Sequence, residues 1–351
     1  MVRKVDRRLV LRSQHSQAAV VEAKPSRQVF LDDVLRGLRQ EPKCLPCKYF
    51  YDEAGSRLFD RICELEEYYL TRTELAIMQG NASCIARHLG EGVLLIEYGS
   101  GSSIKTRLLL DHLPEPVGYV PVDISREHLE ASAARLAVSY PHVEVLPVCA
   151  DFTEDFDLPE PSASPTHTVV YFPGSTIGNF EPGDAVVVLR RIAEVCGPNG
   201  GLLIGIDLKK SPSVIEAAYN DSQGVTAEFN LNILRRINRE LGGDFRVDQF
   251  HHRAVYCARR GRVELGLVSQ RHQSVTIAGE VFWFDQGEEV RTEYSHKYAV
   301  EEFGEIARRA GFTPGKCWTD SEERFAVLYF LNGAWRKGPA IASTPRALHP
   351  R

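Results

Sequence analysis

The sequence predicts an α/β protein, a doubly wound and mostly parallel sheet with an α+β region inserted into it. Three observations predict this. From Val93 to Asp207 short apolar runs alternate with amphipathic helices; three successive run ends carry acidic residues or glycines; and beyond Asp207 the alternation breaks into period-two patterning before a final helix and two apolar runs.

The first amphipathic pattern, Phe30, Leu31, Val34, Leu35 and Leu38, has helical spacing, and further helices are expected over Ser56 to Leu65 and Thr71 to Leu89. A strand at Val93 to Ile96 follows, then a helix from Ser103, a strand at Gly118 to Val122, and a helix from Ser125 with Leu129, Leu136 and Tyr140 on one face. Strands at Val143 to Val148 and Thr168 to Phe172 come next. A helix from Pro182 ends at Gly197 and Pro198, because glycine supplies the turn out of a helix and proline cannot continue it. The strand Leu202 to Ile206 closes this half, and strands alternating with helices in this way pair in parallel through right-handed crossovers. Beyond Asp207 a long helical stretch, Val214 to Leu241, precedes a region from Phe245 to Lys297. Its alternation and its turn signals, such as Arg260 with Gly261, predict antiparallel strands. A helix with Phe303, Ile306, Ala307 and Ala310 on one face stops at Gly311, and Phe312 to Trp318 and Phe325 to Phe330 read as the last two strands. This order resembles that of a class I methyltransferase, a Rossmann-like sheet whose last strand is antiparallel. The expected division is a basic tail at 1–26, one domain made of 27–208 and 298–335, an inserted α+β substrate-binding domain at 209–297, and a second tail at 336–351.

Hydrophobic residues make up 43% of the 351 residues and charged residues 25%, and a formal net charge of -5 argues against a polyanion-binding surface. Nucleic acid is therefore not an expected partner. Eight cysteines lie scattered through core-like segments without the spacing of a secreted disulfide framework, which fits a reducing cytoplasm. No run approaches the roughly 18 apolar residues of a membrane span, and Arg3, Lys4, Arg7, Arg8 and Arg12 are not followed by the apolar stretch of a signal peptide. A cytoplasmic monomer acting on a small molecule, with no membrane partner, is the expectation.

The segment IEYGSGSSIK, Ile96 to Lys105, is a strand that ends in an acidic residue, a glycine turn and a helix start. Gly99 and Gly101 permit close backbone approach and the helix start offers amides to an anion, although such a turn alone serves tight packing equally well. Ser103 departs from the G-x-G-x-x-G dinucleotide pattern, so no pyrophosphate need be bound. Asp123 ends the second strand, where a carboxylate can accept two ribose hydroxyls. Asp151 with Phe152 follows the third, where one side chain can bond an adenine amino group and a ring can cover its face. Singly, each aspartate can equally be a helix cap. Together, at successive strand ends, they point to S-adenosyl-L-methionine. The fourth strand ends in FPGSTIGNF, where Asn179 offers an amide to a carboxylate or amine beside the backbone of Gly174 and Ser175. In RTEYSHK, Glu293 and Ser295 stand two apart and share one face of a strand, with Tyr294 on the other; an acceptor and a hydroxyl on one face can hold an imidazole.

KYFYDEAGSRLFDRICELEEYYLTRTE (Lys48 to Glu74), IEYGSGSSIKTRLLLD, YFPGSTIGNF, AAYNDSQGVTAEFN and RTEYSHK occur in that order between Phe30 and Asn332. They resemble the histidine-specific methyltransferases of ergothioneine biosynthesis. The resemblance implies S-adenosyl-L-methionine-dependent trimethylation of the α-amine of free L-histidine to hercynine. By motif it implies that Tyr51, Gly99, Lys105, Asp123, Asp151 and Phe152 bind the cofactor and that Tyr68, Gly174, Asn179, Tyr219, Glu293 and Ser295 hold histidine, with Tyr51, Asn179 and Tyr219 acting in catalysis. Tyr294 stands where an aliphatic residue is more usual and is expected to face away from substrate. An enzyme of the same fold acting on another amino acid or small amine is the alternative, and a binding module without turnover is a third reading. Glu293 and Ser295 separate the first two, since an apolar substrate leaves a buried carboxylate unpaired.

A methyl-accepting amine must be neutral, and the sequence displays no evident buried His or Lys to take its proton, which leaves Tyr51 and solvent. Tyr51, Phe152 and Tyr219 are the expected aromatic faces for a quaternary ammonium. Metal binding is not expected: Cys44 and Cys47 form a lone C-x-x-C, and His251 and His252, adjacent on a strand, point to opposite faces. The charged residues from Arg235 to Arg246 read as a solvated face.

Overall fold

The computed structural model describes residues 21–23, 26–101 and 103–333. The tail expected at 336–351, and residues 1–20 of the N-terminal one, lie outside the described residues. The chain opens with strand β1 (Val21–Ala23) and helices α1 (Arg27–Leu38), α2 (Glu53–Glu64) and α3 (Tyr69–Leu89). It continues as β2 (Val93–Tyr98), α4 (Ile104–Leu110), β3 (Gly118–Asp123), α5 (Arg126–Ser139), β4 (Glu144–Val145), β5 (Val148–Ala150), β6 (His167–Phe172), α6 (Pro182–Cys196) and β7 (Gly201–Asp207). The inserted region supplies α7 (Pro212–Tyr219), α8 (Val225–Leu241), β8 (Phe250–Cys257), β9 (Arg262–Ser269), β10 (Gln273–Ile277), β11 (Glu280–Phe284) and β12 (Glu289–His296). Helix α9 (Val300–Arg309) and strands β13 (Phe312–Thr319) and β14 (Phe325–Asn332) complete the fold.

The main sheet runs β1-β5-β3-β2-β6-β7-β14-β13, with β4 beside β3. Neighbours from β1 to β7 are parallel, whereas β14 is antiparallel to both β7 and β13, as the class I order requires. Strands β2 and β7 are buried along their whole length, which is why they read as unbroken apolar runs rather than alternating ones. Strand order reverses between β3 and β6 on either side of β2, so the crevice for a ligand opens at the carboxyl ends of these strands. One sheet face is covered by α6 and α9 through residues such as Leu189, Ile192 and Phe303. On the other, Met78, Ile85 and Leu109 pack on Leu95, Tyr171 and Leu203, and that core continues without a break into Phe229, Ile233 and Leu265 of the insertion.

Three expectations are corrected. Val21–Ala23, assigned to the basic tail, is a parallel strand that covers the open edge of β5. The single strand expected at Val143 to Val148 is two, β4 and β5, separated at Pro147, which has no N–H to give a ladder. The helix expected over Val214 to Leu241 is broken between Tyr219 and Val225, because Asp221 accepts the amides of Val225 (2.9 Å) and Thr226 (2.8 Å) and so starts α8 afresh. Residues 27–64, expected in one domain with the sheet, touch both it and the insertion: Lys48 donates to Asp151 beyond β5 (3.0 Å), and further contacts reach α8 and β12. The Arg236 guanidinium of α8 lies over the rings of Phe30 and Tyr49 (5.0 and 5.6 Å), Asn232 donates to Asp52 (2.7 Å), and Leu45 N donates to Arg291 O of β12 (2.8 Å). The insertion's strands are antiparallel as expected, in a three-stranded sheet β12-β9-β8 and a hairpin β10-β11.

Candidate active site

At the carboxyl end of β2 the backbone turns through Gly99 (φ +71°) and Gly101 (φ +47°), and a Cβ at either would meet open space. Ser103 precedes α4 in the left-handed region (φ 56°), and the third glycine of the dinucleotide pattern, counted from Gly99 and Gly101, falls on Ile104 rather than on Ser103, so the departure from that pattern lies one residue later than expected. Asp123, at the end of β3, accepts the amides of Gly101 (3.1 Å) and Ser125 (2.9 Å), which ties the glycine loop to the neighbouring strand. Burial raises its carboxyl above the ordinary value, against those amide bonds. Asp151 accepts from Thr153 N (2.9 Å) through one oxygen and from Lys48 (3.0 Å) through the other, and Lys48 is shared with Asp33 (3.1 Å). The Phe152 ring stacks on Tyr98 (5.3 Å, 17°) and meets Phe172 edge-on. Lys105 is ion-paired with the fully buried Glu74, whose carboxylate also accepts Gly174 N (3.0 Å) and Tyr171 Oη (3.2 Å). Glu74 thereby joins the first and fourth strand ends. These residues form an open loop with two carboxylates and an aromatic ring beside it, a donor and acceptor set that fits an adenosine-bearing molecule.

Next to this edge a partly open cavity is lined by Tyr51, Tyr68, Gly174, Asn179, Tyr219, Glu293 and Ser295, and all six residues expected to hold an amino acid are therefore brought together. Tyr51 follows the short 3₁₀ helix Cys47–Phe50, and Tyr68 directly precedes α3. Asn179 ends a second 3₁₀ turn, Thr176–Asn179, which is pressed so closely on β12 that a Cβ at Gly178 would stand 2.7 Å from His296 O. Tyr219 ends α7. In β12 the ladder shifts register between Arg291 and Glu293, and beyond that bulge Glu293 and Ser295 face the cavity. Tyr294 faces away, as expected, with its ring between the guanidinium groups of Arg262 (3.4 Å) and Arg291 (4.7 Å).

The electrostatics are set by burial. The Glu293 carboxyl makes no hydrogen bond or ion pair among the described residues, and burial pushes it up to about 7 while Lys297 opposes the shift. Burial, with Glu293 next, raises the Tyr51 phenol well above its usual range. That direction disfavours the phenolate that a proton acceptor at Tyr51 would have to be. Tyr219 Oη stands 2.8 Å from Ser295 Oγ, and Lys297 donates to both. His252 bonds to Tyr219 O (2.8 Å) from behind and to the Asn230 amide (2.9 Å); since that amide donates, His252 is the neutral tautomer protonated on Nε2.

The sequence reading missed Phe59, Ile62, Thr176, Thr226, Phe229 and Leu265, which with Ser175 complete the lining. Phe59 and Phe229 lie edge-on or tilted against Tyr51 and each other at 5.5 to 5.9 Å, and they supply the aromatic wall for which Phe152 was expected; Phe152 is not among the lining residues. Their helical spacing was the only signal. Among the described residues no group of three or more side chains is arranged to hold a metal, and no helix is long and apolar enough to cross a membrane.

A family described as histidine-specific methyltransferase, SAM-dependent, matches residues 30–332. A histidine N-alpha-methyltransferase of Mycobacterium tuberculosis (strain CDC 1551 / Oshkosh) is 39% identical over 301 residues, 84% of this chain and 92% of its own. A second, from Mycolicibacterium smegmatis, is 37% identical over 319 residues, 89% of this chain and 98% of its own. Ergothioneine biosynthesis protein 1 of Neurospora crassa is 34% identical over 300 residues, which make up 80% of this chain and 32% of that longer one.

Proposed function

The chain belongs to the histidine-specific, S-adenosylmethionine-dependent methyltransferases, and from that premise we propose that it trimethylates the α-amine of L-histidine to hercynine, a step of ergothioneine biosynthesis. The observation that carries the substrate assignment is the pair Glu293 and Ser295 on one face of β12 inside the cavity, a carboxylate without a protein partner beside a hydroxyl. A neutral imidazole has one N–H for the first and one bare nitrogen for the second. Asn179 and Tyr68 on the opposite elements are left for the amino acid's own amine and carboxylate.

When bound, S-adenosyl-L-methionine supplies an electrophilic methyl carbon, to which the amine lone pair forms a C–N bond as the C–S bond breaks and its electrons remain on sulfur, giving S-adenosylhomocysteine. The chain's part is to hold a neutral amine in line and to exclude water, for which proximity and orientation supply most of the acceleration. One proton leaves the nitrogen before each of three transfers, and the last product keeps none. Of the two acceptors expected, solvent is favoured over Tyr51, whose phenol is raised by burial. As charge becomes permanent on nitrogen, Tyr51, Phe59 and Phe229 offer ring faces to the growing cation.

Incubation of the purified protein with histidine and cofactor, read by mass spectrometry, is expected to give mono-, di- and trimethylated histidine with three equivalents of S-adenosylhomocysteine. Methylation of RNA or protein with none of free histidine would overturn the reading. Cofactor binding has its own test. Each oxygen of Asp123 takes one backbone amide and keeps a lone pair for a ribose hydroxyl. With about 1.5 to 3 kcal/mol per charge-assisted bond, Asp123→Ala is expected to weaken S-adenosylhomocysteine binding by roughly ten-fold or more in calorimetry. An unchanged dissociation constant would reduce Asp123 to a loop cap.

A further inference from the structure

Lys297 continues the alternation of Glu293 and Ser295, and its side chain is fully buried. An ammonium has three protons, and three oxygens stand to receive them: Asp207 Oδ2 at 2.8 Å, Tyr219 Oη at 2.7 Å and Ser295 Oγ at 2.9 Å. Burial alone pulls Lys297 toward the neutral amine, but Asp207 and Tyr219 outweigh it and hold the charge. The count of protons then fixes the hydroxyls. Both oxygens accept from Lys297; one hydroxyl donates across the 2.8 Å that separates them; and the remaining hydroxyl proton is left for the cavity that both residues line.

We propose that Lys297 is a positioning residue that turns the Tyr219–Ser295 pair into a single polarised donor, so that the cavity takes the neutral ring of its amino acid and rejects the imidazolium. The inference rests on the reading of this cavity as the histidine site. A neutral imidazole gives its N–H to Glu293 and offers a bare nitrogen to the pair. An imidazolium brings a second N–H to face a donor, beside a buried positive charge. The other groups around these residues act in the same sense or are fixed. Tyr51, Tyr68 and Cys47 surround Glu293 as neutral acids raised by burial, and Asp207 is also held by Tyr69 (2.9 Å) and Lys210 (2.6 Å).

Lys297→Met keeps the bulk and removes the charge and all three donors. Histidine affinity, read with S-adenosylhomocysteine bound, is expected to weaken about ten-fold or more and KM, read with S-adenosyl-L-methionine, to rise alike, whereas cofactor affinity stays unchanged. On the acid limb of the kcat/KM profile, below the ordinary imidazole value of about 6.5, the slope of log(kcat/KM) against pH is expected to fall by about one, since a site that no longer rejects the imidazolium takes the ring without first removing its proton. A merely structural lysine leaves that limb in place. If the single change prevents folding by stranding Asp207, Lys297→Met combined with Asp207→Asn removes both charges and carries the same expectations. A folded, cofactor-binding variant with KM and acid limb unmoved overturns the inference. Absence of histidine binding by the unaltered protein would instead remove the reading of the cavity, whereas histidine binding indifferent to Lys297 removes this inference alone.

Discussion

Glu293→Ala is expected to lower kcat/KM for histidine by roughly five-fold to more than a hundred-fold, because the substrate's ring N–H loses its acceptor in the cavity and a buried unpaired donor costs about 1 to 3 kcal/mol. Cofactor affinity should hardly move, since the carboxylate lines the amino-acid cavity and not the glycine loop. Discrimination against phenylalanine and tryptophan should relax, because their rings need no acceptor at that point. Competition between histidine and phenylalanine, with products resolved by mass spectrometry, reads the ratio directly. The pH dependence follows from the same group. Burial raises Glu293 to about 7, so in the empty protein the neutral acid is favoured below that value and ionisation spreads as pH rises through it. Histidine affinity should therefore climb between about pH 6 and 8, and Glu293→Ala should remove the part of that climb owed to the carboxylate. For stability the sign is opposite. A carboxyl with a raised folded-state value contributes stability at acid pH that is lost as pH rises through about 7, so the empty Ala variant should lose less stability toward alkaline pH than its parent. Unchanged turnover and an unchanged ratio over phenylalanine would make Glu293 a solvated strand residue.

Glu293 and Ser295 were legible as one face because a strand has a period of two, and the motif RTEYSHK tied that face to histidine through the family resemblance. The glycine turn and Asp123 were legible because strand ends in an open parallel sheet converge on one edge. Phe59, Phe229 and Leu265 were not, since an aromatic or aliphatic residue at helical or strand spacing looks the same whether it faces a core or a cavity, and here one core runs into the other. Glu74 and Lys297 escaped for a different reason. Each is a charged residue in an ordinary segment, and only the fold sets Glu74 against Lys105 and Gly174, or Lys297 against Asp207 from a distant strand end. The docking of residues 27–64 on α8 was hidden in the same way, because its contacts, such as Asn232 with Asp52, join positions far apart in sequence. Local periodicity reports which face is buried but is silent on what buries it.

The largest loss of stability is expected from Asp207→Ala. Asp207 ends β7 where the chain leaves the main sheet, and Lys297 stands where it returns; Tyr298 N donates to Asp207 O (3.1 Å) at the same crossing. The carboxylate is fully buried and holds Lys297 (2.8 Å), Lys210 (2.6 Å) and the Tyr69 hydroxyl (2.9 Å to each oxygen). Forming such a pair gains little over an apolar one, because desolvation offsets the attraction, but removing one member leaves the other charge buried and unpaired, at about 3 to 5 kcal/mol. For a chain of this size that corresponds to a fall of roughly 4 to 7 °C in Tm, which circular dichroism can follow. Lys210, drawn down to about 8 by burial against the pull of Asp207, should fall further once that carboxylate is gone. The double change Asp207→Ala with Lys297→Met should then cost less than the sum of its parts, since the second substitution removes the charge that the first one strands. Asp207→Ala within about 1 kcal/mol of the parent would mean that water reaches Lys297, and the ion pair would no longer account for how the insertion is tied to the sheet.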